Sequence, residues 1–184
     1  MILVNVYDAA REGDWNAFQR FFDGNTNQIN PDSKFNLLQL AVTSTENPEG
    51  RLSIIRFLLE HGIDLNYRDK KFQRNALHVA FFGFRKGNLE YLKKQTELLI
   101  SAGVDVNAVD TFDAIPLKYA ITISKHTTEE MREIYEMLIR SGSDYKKKDT
   151  FQKSCLDYAQ EYSWRNGFID IVQELEGINL PAPH

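Results

Sequence analysis

The stretch that decides the fold is Asn75-Ala76-Leu77-His78-Val79-Ala80. A capping residue, a leucine, a polar residue and an alanine open one helix here, and a second helix with an apolar stripe follows it. The second helix ends at a glycine, which leads into an extended turn of the form Asp-apolar-Asn at 103–107. Similar blocks open further helices at 36–41, 115–120 and 154–159. A self-similar unit of this kind predicts a solenoid.

These blocks resemble the ankyrin repeat, whose first helix opens with Thr-Pro-Leu-His-x-Ala. The block at 75–80 keeps the leucine, the histidine and the alanine, and the block at 115–120 keeps the proline, the leucine and the alanine. The other two blocks keep the leucine and the alanine. We expect the shared leucines Leu77, Leu117 and Leu156 to be buried at equivalent places in successive repeats. The helix exits at 61–66 and 102–107 are similar to the family's Ala-Gly-Ala-Asp-Val-Asn, and the resemblance covers roughly residues 5–180.

The resemblance implies an all-α fold, an ankyrin-like α-solenoid of about five helix-turn-helix repeats with short β-turn fingers. We expect a single domain over 1–184, with a first cap at about 4–24, repeats at 28–62, 64–103 and 105–142, and a second cap at 144–177. The repeats exceed the family's usual period of about 33 residues, mostly in the loops between the two helices of each repeat. Insertions of this kind usually enlarge one face, which is often a binding face.

The composition limits the classes of protein to consider. The chain has 184 residues, of which 42% are hydrophobic and 26% charged, and its formal net charge of −4 argues against a general nucleic-acid binder. The one cysteine excludes an internal disulfide and a cysteine-rich zinc site. The N-terminus lacks a basic region ahead of an apolar run, and no apolar run has the length of a membrane span. We therefore expect a reduced, cytoplasmic protein that does not contact membranes.

The sequence contains no recognisable catalytic pattern. Its four histidines and one cysteine are scattered, and it has no glycine-rich phosphate loop or nucleophile elbow. His78 stands at the signature position, where we expect its imidazole to hydrogen-bond the backbone of a neighbouring finger. The glutamates within 129–136 are interpreted as a solvated helix face, because no histidine lies at ligand spacing among them. The sequence thus predicts a protein that is not an enzyme and takes no cofactor or metal.

The predicted fingers carry charges of alternating sign. The fingers at 68–74 and 146–153 are basic, and the one at 105–113 is acidic. Such alternation suits a protein partner with its own charge pattern. Phe72, Phe112 and Phe151 recur at equivalent positions and are expected to pack finger to finger, whereas aromatic residues that stay exposed would be binding hot spots.

Candidate partner-binding residues follow from these considerations. The usual contact positions of the family correspond here to Gln73, Arg74, Asp113, Gln152 and Lys153. Near the ends of the first helices we add Phe84, Arg85, Tyr162 and Trp164, and we also add Phe35, whose register among the fingers is irregular. The long loops between helices, such as 43–50, are the rival surface.

The functional expectation is non-catalytic recognition of another protein through the concave face and the fingers. Small ankyrin-like chains of this kind resemble inhibitors or immunity proteins, which neutralise a toxin or an enzyme by covering its site. The alternative is a structural adaptor that bridges two proteins. We expect the free chain to be a monomer.

Overall fold

The computed structural model describes residues 5–83 and 86–177. These residues form ten α-helices and one short 3-10 helix at Ser163–Arg165, and within them the only β-type pairing is an isolated bridge between Ile29 and Asn36. The helices are α1 (Val6–Glu12), α2 (Trp15–Phe21), α3 (Leu37–Ala41), α4 (Pro48–Glu60), α5 (Ala76–Gly83), α6 (Leu89–Ser101), α7 (Pro116–Thr122), α8 (Thr128–Arg140), α9 (Cys155–Glu161) and α10 (Gly167–Glu176).

The helices stack in two layers. The first helices of the pairs contact one another in the order α1, α3, α5, α7, α9, and the second helices in the order α2, α4, α6, α8, α10. Each pair thus buries its apolar faces against its neighbours along the chain, which is the packing of a solenoid. The prediction of an all-α stack of helix pairs is confirmed.

Helix starts follow the capping chemistry read from the sequence. The side chains of Asn36 and Thr127 each accept a hydrogen bond from the backbone N–H three residues further on. In turn, the side chains of Gln39 and Glu130 accept a hydrogen bond from the backbone N–H of the capping residue. Pro116 occupies the first position of α7, where its missing N–H costs nothing. At the exit of α4, Gly62 has a φ of 75°, in the left-handed region that glycine adopts without steric cost.

Two details differ from the sequence expectation. The loop predicted at 43–50 is shorter than expected, because α4 begins at Pro48. The side chain of Arg51, in the first turns of α4, is buried beneath this loop. Leu77 and Leu117 are fully buried as expected, but Leu156 is only partly buried. The reason is its place in α9, which contacts α7 on one side and has no further first helix packed on the other side within the described residues.

Candidate protein-binding surface

The fingers at 69–74, 110–114 and 149–153 are each held by an aspartate at the start. The Asp69 carboxylate accepts hydrogen bonds from the backbone N–H groups of Lys71 (2.9 Å) and Phe72 (2.8 Å). Asp110 and Asp149 accept equivalent bonds in the next two fingers. All three aspartates are buried. A short acidic side chain that binds its own backbone two residues on stabilises a tight turn, so these residues fix the shape of each finger.

The tip of each finger turns back through one non-glycine residue in the left-handed conformation. Non-glycine residues seldom adopt this conformation, and asparagine and aspartate do so more readily than glutamine or lysine. The residues concerned are Lys34, Gln73, Asp113 and Gln152, with φ values of 63°, 57°, 55° and 60°.

Neighbouring fingers are linked through their backbones. The N–H of Thr111 donates to the carbonyl of Phe72, and the N–H of Thr150 donates to that of Phe112, each at 2.9 Å. The imidazole of His78 contributes a further link, since its Nε2 lies 2.9 Å from the carbonyl oxygen of Ala114 in the next finger. The expected hydrogen bond from His78 to finger backbone is thus present. These links fix the spacing of the finger side chains.

An aromatic groove lies where the fingers meet the first helices. We call it the finger groove; it has a volume of about 450 Å³. Three of its phenylalanines are substantially exposed, Phe82 at 46%, Phe112 at 38% and Phe151 at 61%. Its full lining is Phe72, Arg74, Phe82, Phe112, Lys118, Tyr119 and Phe151.

The guanidinium of Arg74 lies between aromatic rings. Its central carbon is 4.6 Å from the ring centroid of Phe72 and 4.0 Å from that of Phe82. Its Nε lies 3.5 Å from a carboxylate oxygen of Asp110, and the side chain is 10% exposed. The residue is thus largely desolvated, and cation–π attraction is strengthened when water is excluded.

Lys118 repeats this arrangement one unit further along the stack. Its Nζ lies 4.8 Å from the ring centroid of Tyr119 and 5.9 Å from that of Phe151. It is 3.8 Å from a carboxylate oxygen of Asp149, beyond hydrogen-bond length. The groove therefore holds a second cation on its aromatic surface.

Burial sets the protonation of two side chains beside the groove. Burial, helped by the hydrogen bond to Asp110, raises the pKa of Tyr119 to about 12, so the phenol stays neutral and donates to that carboxylate. Burial lowers the pKa of His78 to about 4, so the imidazole is neutral at neutral pH. Neither group adds charge to the groove.

The predicted site residues lie in several places. Arg74 lies in the finger groove, and Asp113 and Gln152 are exposed at finger tips. Gln73 is partly buried at its own tip, and Lys153 pairs with Glu161 at 2.5 Å.

The remaining predictions fall outside the groove lining. Phe35 is partly buried, and its carbonyl closes its finger by accepting from Asn30, as the carbonyl of Arg74 accepts from Asp69. The rings of Tyr162 and Trp164 contact each other in a tilted arrangement with centroids 5.0 Å apart, and Trp164 is 55% exposed. Phe84 and Arg85 lie outside the described residues.

Sequence reasoning missed three groove residues, Phe82, Lys118 and Tyr119. Phe82 lies near the C-terminal end of α5, and the other two are the third and fourth residues of α7. The expected packing between fingers occurs where the rings of Phe112 and Phe151 stack with centroids 6.4 Å apart, yet both rings stay exposed. The clustering of aromatic residues in successive first helices was the available signal.

The opposite edge of the stack, formed by the loops between paired helices, is held by two buried arginines. Arg165 is fully buried and donates to the carbonyls of Ile121 (2.9 Å), His126 (2.8 Å) and Ser124 (2.6 Å). Arg51 likewise donates to the carbonyls of Arg11, Ala41 and Glu46. Both guanidinium groups satisfy carbonyls left unpaired where first helices end.

Other chemistry is limited in the described part of the chain. Among residues 5–83 and 86–177, no group of three or more histidines, cysteines or acidic residues is arranged to hold a metal ion. Burial raises the pKa of the Cys155 thiol well above its usual range, which keeps it protonated. In the same residues no helix has the length and apolar character needed to cross a membrane.

Comparison with known proteins agrees with this geometry. Residues 37–94 match the family model described as ankyrin repeats (many copies). The matched segment contains α3 to α5 and the start of α6, which includes the finger that carries Phe72 and Arg74. No curated protein matches the chain. The resemblance of the sequence, the family match and the stacked helix pairs agree that residues 37–94 have the pattern of ankyrin repeats.

Proposed function

We propose that this chain is a non-catalytic recognition module that binds a protein partner through the finger groove. Ankyrin repeats generally act as protein–protein interaction modules. The observation that supports the groove as the site is the set of three exposed phenylalanines beside two cations on aromatic rings. Aromatic residues and arginine are the side chains most enriched at interface hot spots.

The rigidity of the groove favours tight binding. The phenylalanines at 72, 112 and 151 are spaced by backbone hydrogen bonds between fingers, so little conformational entropy is lost when a partner docks. A groove that crosses three successive fingers can cover a continuous stretch of a partner's surface. Covering a functional site is what an inhibitor or an immunity protein requires, and we propose this role for the chain.

The alternative role is that of an adaptor, and one observation favours it. Trp164 and Tyr162 form a second aromatic pair that does not line the finger groove. An adaptor needs two separate docking surfaces, and this pair is a candidate for the second. The two roles differ in what the complex does, because an inhibitor abolishes its partner's activity and an adaptor brings a third protein into the complex.

The test of the binding site starts with capture of the partner from native cells, followed by calorimetric titration of the purified pair. We expect Phe151→Ala to weaken binding by about 1–2 kcal/mol, as for a hot-spot side chain. Glu133→Ala is the control, because Glu133 lies on α8 in the second-helix layer and pairs there with Lys93; it should change binding by less than about 0.5 kcal/mol. Glu46→Ala tests the rival loop at 43–50.

The outcome separates the alternatives. If Glu46→Ala weakens binding and Phe151→Ala does not, the loop edge is the functional surface and the groove proposal is wrong. Loss of the partner's activity in the complex supports the inhibitory role. If Trp164→Ala releases a third protein while the first partner stays bound, the chain is an adaptor.

A further inference from the structure

The finger groove contains an incompletely satisfied cation, which indicates the chemistry of what binds there. We infer that the groove takes an acidic peptide segment of the partner protein, in which a carboxylate side chain meets Arg74 and Lys118 and a neighbouring apolar side chain packs on the exposed phenylalanines. This inference rests on the proposed function and specifies the segment of the partner that is recognised.

The Arg74 guanidinium leaves most of its donors unused. Such a group carries five N–H donors. Among the described residues, the guanidinium of Arg74 makes one hydrogen bond, from its Nη2 to the hydroxyl oxygen of Tyr119. The distance of 3.5 Å is the longest that still counts as a hydrogen bond. Its Nε is buried without a hydrogen-bond partner. A desolvated cation with unused donors is costly to leave unpaired, and an incoming carboxylate would relieve that cost.

The carboxylates near the two cations already accept hydrogen bonds from other groups. Asp110 accepts from two backbone N–H groups of its finger and from the hydroxyl of Tyr119. Asp149 accepts from two backbone N–H groups and from the hydroxyl of Tyr158. Their ion pairs with Arg74 and Lys118 are correspondingly long, 3.5 and 3.8 Å. Both cations therefore keep attraction for a further anion.

The positions of the two cations on the rings disfavour a cationic ligand. An aromatic groove can recognise a cationic ligand when the faces of its rings are free. Here Arg74 lies over the rings of Phe72 and Phe82, and Lys118 lies near the rings of Tyr119 and Phe151. A cationic side chain entering the groove would meet two like charges on those rings. The arrangement favours an anionic group.

The exposed phenylalanines favour an apolar side chain in the bound segment. Phe82, Phe112 and Phe151 expose about half of their side chains around the two cations. An apolar side chain next to the carboxylate would bury this surface, which stabilises the complex. Charge at the groove and apolar contact beside it thus select for an acidic residue followed or preceded by an apolar one.

The test uses a library of displayed random peptides, selected on the full chain. We expect the enriched peptides to share an aspartate or a glutamate next to a bulky apolar residue. A synthetic peptide of the enriched sequence is then compared by fluorescence anisotropy with a twin in which the acid is replaced by its amide. The acidic peptide should bind about tenfold more tightly than its twin, and the difference should shrink at high salt.

Lysine variants locate the effect. Lys118→Gln should reduce the difference between the twin peptides to about twofold, because the variant removes one of the two cations while leaving the aromatic surface. Lys93→Gln is the matched control, since Lys93 pairs with Glu90 and Glu133 on the second-helix layer, and it should leave the tenfold difference unchanged. Arg74→Gln should act as Lys118→Gln does, provided that it folds.

Several results would overturn the inference. They are a library that yields no enriched peptide, enriched peptides without an acid, and twins that bind equally. In each of these cases the proposed function still stands if Phe151→Ala weakens binding of the whole partner. A partner that binds the Phe151→Ala variant as tightly as the wild type would instead remove the proposed function itself.

Discussion

The two edges of the helix stack are built in different ways. On the finger edge, the same devices recur in successive units: an acid that binds its own backbone, a left-handed tip and a backbone hydrogen bond to the next finger. On the loop edge, the connections differ in length, and single buried side chains, Arg51 and Arg165, hold them. Many small contacts therefore stabilise the finger edge, whereas a few buried side chains stabilise the loop edge.

The strongest test of this difference is Arg165→Met. The substitution leaves up to three buried carbonyl oxygens, those of Ile121, Ser124 and His126, without their donor. Since an unsatisfied buried polar group costs about 1–3 kcal/mol, we expect a loss of roughly 3–5 kcal/mol in the free energy of unfolding. Urea denaturation followed by circular dichroism measures it.

The control for that experiment lies on the finger edge. Asp69→Asn should cost about 1 kcal/mol, because an amide oxygen can still accept the backbone bonds of the finger. Asn30 already does this in the first finger, where its side chain accepts from the N–H groups of Asp32 and Ser33. If Asp69→Asn destabilises the chain as much as Arg165→Met, the contrast between the two edges is wrong.

The next effect in size is a dependence of the finger edge on pH. The pKa of His78 falls from 6.5 to about 4 on folding, because burial disfavours the charged imidazole. The unfolded chain therefore binds the proton first as the pH falls, so the stability that His78 contributes is complete above pH 6.5 and is lost between pH 6.5 and about 4. The loss should be on the order of 3 kcal/mol.

The variant for this measurement is His78→Gln. Glutamine already occupies the equivalent position of the preceding unit, where Gln39 Nε2 donates to the carbonyl of Arg74 at 2.7 Å. The variant should keep the bond to the Ala114 carbonyl and lose the titration. Denaturation midpoints of both proteins across this pH range give the comparison, and equal slopes would show that His78 is not the titrating group.

The smallest expected effect is at a finger tip. Gln152 has a φ of 60°, a conformation that costs a side chain of this kind up to about 1 kcal/mol and that glycine adopts freely. Gln152→Gly should therefore stabilise the chain by up to about 1 kcal/mol. Gln160→Gly, in helix α9, should destabilise it by a similar amount. Thermal unfolding measures the midpoint temperature of each variant. Shifts of opposite sign would support a strained left-handed tip at Gln152, and a lower midpoint for Gln152→Gly would refute it.

The finger edge could be predicted from the sequence, and the loop edge could not. Capping pairs such as Asn36 with Gln39, and glycines such as Gly62, act within a few residues, so they leave a pattern that recurs once in each unit. The contacts of Arg165 join it to carbonyls about forty positions earlier, and no local pattern marks such a bond.

The candidate site shows the same limit. Arg74 was predicted because it lies at a recurring finger position. Its stacking on Phe82 and its contact with Tyr119 depend on how side chains from two helices converge, which the spacing of residues does not specify. The burial of Leu156 was overestimated for a related reason, because a repeating motif does not reveal that α9 contacts a first helix on one side only among residues 5–83 and 86–177.

The stacking of each unit on its neighbours alone also bears on how the chain reaches its native state. Within the described residues, the hydrogen bond of longest sequence separation joins Arg74 to Tyr119, 45 positions apart. Since the helices of the described part pack mainly on neighbours along the chain, the entropy of loop closure stays small there, as in fast-folding helical proteins of low relative contact order. Each unit can also acquire its partner as soon as the following one leaves the ribosome, so a nascent chain exposes little apolar surface during synthesis.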